Sequence, residues 1–403
     1  MANNISAFSP EYRSARAQRL LKKMLVCREI SNMEERSTLR NGIKVHRPYY
    51  SDIIVNDYTK GTEVTAQDIT ATDEYLTVDQ TKEATVYIDE IDVMQNKYDT
   101  ANLYIDRISY ALKKDIDGAF LGEVANMTYT VDDGTFGGTS GNGYAVTVAN
   151  VFKLFTTVEA EMNTANIEDT KSWFAVITPK VKALLQQTNL ANGFNQADAA
   201  LKGQLKGMGF HGTWGNFNIF VSNNVKHTYT FTTTAILVDT DIVTIGWVAF
   251  TADADGAATG AGHFSIQAAE DDCMDTLVTA INGTGTPGVD TYIALSTANR
   301  NILTNAKVAA TYASHVLTIT SQGYLSTSYT AAGTIYGTWA TPVSSCRFGQ
   351  YGCTDLVIQG DVKVQKNKEP LLTGYEYLAY TVYGKKTFVE WANRGVKVDL
   401  LAA

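Results

Sequence analysis

The stretch Thr85–Met127, TVYIDEIDVMQNKYDTANLYIDRISYALKKDIDGAFLGEVANM, decides how the rest of the chain is read. It begins as an extended segment, with Val86, Tyr87 and Ile88 followed by Ile91 and Val93. The alternation slips at Asp89–Glu90, which predicts a bulge or bend there. Asp99 stands where a helix N-cap belongs. Beyond it Ile105, Ile108, Leu112, Ile116, Phe120 and Val124 recur at three- and four-residue steps, the apolar stripe of a helix over roughly 99–126. Asp106, Arg107, Lys113, Lys114, Asp117 and Glu123 are expected on its other faces, with Lys113 and Asp117 spaced to pair at i,i+4. About 25 residues at ~1.5 Å each make a rod on the order of 38 Å. A lone helix of that length among strands and loops is a structural beam.

The segments before the beam differ sharply in charge. Residues 1–50 hold ten Lys/Arg against four acids, a net of +6, and residues 51–99 hold three Lys against twelve acids, a net of −9. The first contains a charged helix expected over Glu11–Cys27, and the second a long polar segment over Tyr50–Glu83. A basic arm beside an acidic extended segment suits a subunit that reaches onto its neighbours, one subunit's arm pairing with another's loop. Arg13, Arg16, Arg19, Lys22, Lys23 and Arg40 on the arm, and Asp52, Asp57, Lys60, Glu63, Asp73 and Glu74 on the loop, are the candidate inter-subunit residues. The plainer reading of both segments is a pair of solvated charged stretches. The arm has no interleaved aromatic platform of the kind that binds single-stranded nucleic acid.

After the beam, Asp132–Tyr144 is glycine-rich and reads as a flexible turn or hairpin tip. A helix follows over Ala149–Asn163, its buried side made of Val151, Leu154, Phe155, Val158 and Met162. Trp173–Gln187 (WFAVITPKVKALLQQ) reads as strand then helix. Asn192–Gly212 reads as a loop with a short helix at Ala197–Lys202, and Gly215–Asn224 as a strand. Near Lys226 the composition changes to Thr, Ala and Gly, and residues 226–345 hold only Lys226, Arg300 and Lys307 against nine acids. Asp241–Ala252 and His263–Ala268 are expected as strands, Glu270–Asn282 as a helix, Asn282–Gly288 as a turn, and Lys307–Tyr312 with His315–Ser321 as a hairpin. This mainly-β module interrupts a domain that resumes at Cys346–Gln359. Insertion at an exposed loop tip costs the host little. The C-terminal run Val362–Asp399 contains GYEYLAYTVYGKK at Gly374–Lys386 and a final strand at Gly395–Asp399.

The order of these segments resembles the major capsid proteins of tailed bacteriophages, the Hong Kong 97-type fold. Thr85–Met127 resembles that family's spine helix and the strand leading into it, Tyr50–Glu83 its extended loop, Trp173–Asn224 its axial domain and Val362–Asp399 the end of its peripheral domain. No strict motif is shared; order and spacing carry the resemblance over most of the chain outside roughly 226–342. It implies an α+β fold with an N-terminal arm (1–49), extended loop (50–84), peripheral domain (85–171 and 361–403), axial domain (172–225 and 343–360) and inserted module (226–342). It further implies self-assembly into hexamers and pentamers of an icosahedral shell around double-stranded DNA, made in the host cytoplasm. A separate scaffolding protein, a portal and, as an optional addition, a decoration protein are the implied partners. The module is expected on the outer face of the shell. Some members crosslink a loop lysine to a neighbour's asparagine; Lys60 is placed for this, though it reads first as a plain loop charge.

The chain of 403 residues is long enough for two or three domains, and 45% hydrophobic residues with six prolines favour packed cores over disorder. No run approaches 18 apolar residues, and MANNISAFSPEYRSAR lacks an apolar signal core, so neither a membrane helix nor secretion is expected. Cys27, Cys273, Cys346 and Cys353 lack zinc-site spacing; Cys346 and Cys353 could meet across a hairpin, but free thiols are the plainer reading. The five histidines are scattered, and Gly384–Thr387 (GKKT) matches only the tail of a phosphate-binding loop, with Ala379 where the first glycine belongs. Glu270–Asp272 is read as an acidic helix start rather than a cation site. No enzyme, cofactor or metal site is therefore expected. The competing reading is a carbohydrate- or receptor-binding β protein of a virion, resting on the Thr, Tyr and Trp content of the insert.

Overall fold

The computed structural model describes residues 25–40, 42–64, 66–95, 100–167, 173–191, 210–359, 362–368 and 373–401. The expected helix over Glu11–Cys27 lies largely outside these residues. So do Arg13, Arg16, Arg19, Lys22, Lys23, the Asp99 cap and the short helix at 197–202. The described chain opens with α1 (Cys27–Ile30). β1 (Lys44–Tyr50) and β2 (Ala71–Thr77) then form an antiparallel ribbon, from Lys44 opposite Thr77 to Tyr50 opposite Ala71. β3 (Gln80–Asp89) runs straight into α2 (Glu90–Gln95). The extended reading through Val93 is thus corrected. Asp89 accepts the Ile91 amide at 2.9 Å, and this local side-chain bond starts a helical turn where a bulge was expected.

The beam is α3 (Thr100–Gly122), continued by a 3₁₀ turn at Glu123–Asn126. Its stripe crosses two cores. Ile108 and Leu112 are buried with Ile88, Tyr377 and Ala379, and Ile105 is half-buried beside them. Ile116 and Phe120 pack with Val26, Phe174, Val176 and Leu356. Val124 is buried at the end of the rod. From Ile116 to Leu121 every residue is buried, so this half of the helix has no solvent face. That corrects the placement of two acids. Asp117, expected on the surface near Lys113, is fully buried and accepts the amides of Val26 (2.7 Å) and Cys27 (2.9 Å) and the Asn224 amide group (3.1 Å). Burial pushes its carboxyl up, with those bonds opposing. Glu123 is buried too and pairs with Lys385 at 2.7 Å.

Beyond α3 come β4 (Tyr129–Val131), α4 (Val151–Thr164), β5 (Trp173–Ile177), α5 (Pro179–Ala191), β6 (Phe210–Trp214), β7 (Phe217–Val221) and β8 (Lys226–Thr233). The loop at 132–144 is tied rather than flexible. Asp132 accepts from the amides of Thr135 (3.3 Å) and Gly141 (2.6 Å), and these bonds hold its carboxyl below the usual range. The next elements are β9 (Ile242–Ile245), β10 (Val248–Asp253), β11 (His263–Ser265), α6 (Glu270–Asn282), α7 (Thr297–Asn305), β12 (Ala309–Ala313), β13 (Val316–Gln322), β14 (Thr327–Thr330) and β15 (Gly337–Trp339). The chain closes with β16 (Val343–Gln350), β17 (Asp355–Ile358), β18 (Lys363–Lys368), β19 (Gly374–Lys386), α8 (Val389–Ala392) and β20 (Gly395–Leu401).

The largest sheet has the order β12-β13-β8-β16-β5-β7-β6, with β20 on the other side of β16 and β4 beside β20. Its host half buries Trp173, Phe217, Phe348 and Val398 under α4. Residues 229–319 build a separate core from Tyr229, Phe231, Phe250, Phe264, Leu277 and Ile281. The two halves share one sheet, because Val343–Ser345 of β16 pair with Lys226–Thr228 of β8. The stretch 241–252, expected as one strand, is the hairpin β9–β10. Its two-residue turn puts Gly246 at φ 55° and Trp247 at φ 75°. Such turns need left-handed backbone at both positions, and Trp at the second gives no sequence cue for it. The strand expected over 263–268 ends at Ser265. The four-stranded sheet β17-β19-β18, with β3 on β19, lies against α3. Gly384 sits within β19, where an added Cβ would fall 2.4 Å from the Thr77 carbonyl, so this glycine serves a close chain crossing. All four cysteines are free and buried.

Candidate assembly interface

The β1–β2 ribbon has a firm root and a bare tip. At the root, Leu76, Val78, Leu39, Val357 and Phe388 form a small core. Arg47 reaches Glu35 at 2.8 Å and Asp355 at 3.1 Å, and its guanidinium lies over the Phe388 and Trp391 rings at 4.7 and 4.4 Å. Asp355 is buried at the far end of this pair. Desolvation pushes its carboxyl up to about 6, against the pull of Arg47 and the Asn32 amide. Gln359 donates to the carbonyls of Leu39 and Gly42, pinning the chain that enters β1.

Between the strands, the described residues of 51–70 carry no helix or strand. Ser51 donates its amide to the Thr70 carbonyl at 3.0 Å, and Ile54 donates its amide to the Gln67 side chain at 3.0 Å. These bonds hold the two limbs together without burying anything. Ile53 and Ile54 are 70% exposed, Val55 94%, Tyr58 68%, Val64 75% and Ile69 60%. The segment was expected to be polar; this apolar content is the correction. The consecutive run Ile53–Ile54–Val55 lies outside any strand, and no second layer among the described residues covers it.

The loop acids divide. Asp52, Asp57 and Glu63, with Lys60, are exposed and make no ion pair among the described residues. Asp73 lies 2.6 Å from His46 across the ribbon. Glu74 is engaged within its own chain, accepting the Val389 amide at 2.9 Å and lying 3.5 Å from Lys386. Arg40 falls at the ribbon's root, and its side chain lies outside what is described. Charge counting therefore found the free acids but missed Arg47, Asp355 and the bare aliphatics. The run Ile53–Ile54–Val55 was the available signal for the last of these.

No metal-ligating cluster of three or more His, Cys, Asp or Glu occurs among the described residues, and none of their helices is long and apolar enough to cross a membrane.

No protein-family model and no curated protein sequence matches the chain. Solved structures do. A structure from Mycobacterium phage Che8 is similar with a TM-score of 0.57 at 14% identity, covering 98% of each chain. One from Mycobacterium phage Ogopogo gives 0.50 at 9% identity, covering 99% of each. The capsid structure of the cyanophage P-SCSP1u gives 0.49 at 11% identity, over 100% of this chain and 95% of that one. The first two likenesses extend from end to end, and the chain shares the mixed α+β fold of those two phage structures, consistent with the Hong Kong 97-type fold.

Proposed function

We propose that the chain is a major capsid protein that self-assembles into the icosahedral shell of a tailed phage, enclosing its double-stranded DNA. The observation that carries this reading is the loop at 51–70. It is an apolar surface that the described residues leave uncovered, on a ribbon whose root is fixed. Burying one Ile or Val contributes roughly 1.5–3 kcal/mol, so the five bare Ile and Val side chains supply a strong drive toward a neighbouring copy. The role is structural rather than catalytic. Hexamers and pentamers of the chain are its main partners, with a separate scaffolding protein and a portal acting during assembly in the host cytoplasm. DNA is contacted without sequence preference. The inserted module faces outward, where it is available to a decoration protein. Antibodies against 228–341 should label intact filled particles; labelling only after particles are opened would contradict the outward placement.

Electron microscopy of the purified full chain, taken through a range of concentration and salt, tests the reading. Closed shells or ring-shaped capsomers are expected. A protein that stays monomeric throughout, alone and with a cognate scaffold, would contradict it.

A further inference from the structure

A cleft of about 620 Å³ lies where α3, the β3–β19 edge and the inserted module meet. Three lysines from separate elements line it: Lys82 of β3, Lys385 of β19, and Lys307 just past α7. The strand period explains the first two. Ala84, Val86 and Ile88 pack toward α3, and Lys82 continues that face. Tyr383 and Lys385 likewise share one face of β19, with Tyr383 opposite Gln80 and Thr381 opposite Lys82. Lys307 comes from the other wall. It follows the cap residue Ala306 of α7 and holds φ 48°, a left-handed position usually given to Gly or Asn.

The charges in the cleft do not cancel. Asp115 is the acid among its lining. It is already taken by Lys307 at 2.8 Å and by the Tyr383 hydroxyl at 2.9 Å. Lys385 is held by Glu123. Lys82 makes no hydrogen bond or ion pair among the described residues. Nearby, Lys114 donates to the Asn305 carbonyl at 3.2 Å. Burial, and then the charge of Lys307, hold Lys114 below the ordinary lysine range. Burial does the same to Lys307, with Asp115 opposing and Lys82 and Lys385 adding to the depression. In a chain of net charge −9, positive charge here outnumbers its partners.

We propose that this cleft binds a phosphate-class oxyanion, with Lys82 as the principal contact and Lys307 and Lys385 flanking it. An ammonium is a compact charge with three donors, suited to a tetrahedral oxyanion approached from several sides. Gln80 lies on the same wall, its side-chain amide already donating to Asp79 at 3.0 Å. The phosphate can belong to a free polyphosphate or to a nucleic-acid backbone, and the test separates the two.

Inorganic triphosphate and a short DNA duplex would each be titrated into the unassembled full chain at low salt, by calorimetry. The site does not depend on shell formation, so its failure and that of the capsid reading are distinguishable. Triphosphate is expected to bind saturably, and Lys82→Gln to weaken it about tenfold or more, since a charge-assisted contact is lost. Lys153→Gln, on α4 away from the cleft, should leave affinity unchanged. The melting temperature of Lys82→Gln should match the unsubstituted chain, because Lys82 supports no other group. Duplex binding that also depends on Lys82 assigns the phosphate to nucleic acid; triphosphate binding alone assigns it to a free polyphosphate. Absence of saturable triphosphate binding, or equal losses from both substitutions, would overturn the proposal.

Discussion

The loop at 51–70 and the core at 229–319 use apolar residues in opposite ways. The module closes on itself: Tyr229, Phe231, Phe250 and Phe264 are fully buried. The loop closes on nothing, and its Val55 is 94% exposed. One region is complete within the chain; the other, in the proposed assembly, is completed by a second surface. The difference also ranks the forces expected at the interface. Exposed ion pairs contribute about 0–1 kcal/mol each, whereas burying an aliphatic side chain contributes roughly 1.5–3 kcal/mol. In the proposed interface, charge opposition between arm and loop would set orientation, and the bare aliphatics would supply most of the affinity.

The sharpest way to break this contrast is to truncate one residue from each side. Phe250→Ala should destabilise the chain by about 3–5 kcal/mol in denaturant unfolding, because it opens a cavity in a closed core. Ile54→Ala should change the same measurement by less than about 0.5 kcal/mol. Similar losses from both would mean that the loop packs on its own chain.

The ribbon's root gives a pH test of the next size. Asp355 titrates near 6 in the folded chain against 3.8 when free. The folded state therefore binds this proton more tightly than the unfolded state. Its contribution favours folding at low pH, is lost as pH rises between those values, and stays constant above them. By linkage the change is at most about 3 kcal/mol. Asp355→Asn should remove that slope, read as the difference between the two stability–pH curves. Curves that stay parallel through this window would show that Arg47 dominates instead.

The proposed assembly should respond to the loop. Ile54→Ser should raise the concentration needed for assembly by roughly tenfold or more, matching ~1.5–3 kcal/mol of lost burial, while leaving the melting temperature in place. Light scattering across a dilution series measures it. The smallest effect belongs to the module. Glu270 accepts from Thr233 and Tyr312 and lies 3.0 Å from His315. Its bond and charge raise the His315 pKa above 6.5. The stabilisation is full below 6.5 and fades as pH rises through the folded value, so the protection of amides at the β12–β13 turn, taken relative to the base-catalysed intrinsic exchange rate at each pH, should fall modestly on alkalinisation. His315→Gln should abolish that dependence.

The long helix was legible because six apolar residues repeat at its period, and α4 and α6 for the same reason. Asp117 was not. Its bonding partners, the amides of Val26 and Cys27, are about ninety residues away in sequence, and helical spacing cannot announce a fold that wraps all sides of the rod at 116–121. Residues 241–252 read as one strand because the turn within them carries Trp where Asn or Gly would mark it. In the loop, counting charges obscured Ile53, Ile54 and Val55, which were readable as apolar but not as bare. Arg47 and Lys82 were out of reach, since each acquires its meaning from register: Arg47 from β1 against the β17 edge, Lys82 from the β3–β19 pairing.

The central claim is that residues 51–70 are completed by another copy of the chain. Hydrogen exchange over this segment, compared between unassembled and assembled protein, tests it most directly. The free chain should exchange there rapidly, while β5 and α3 stay protected, and assembly should slow the loop amides strongly. Equal exchange of the loop in both states would contradict the claim.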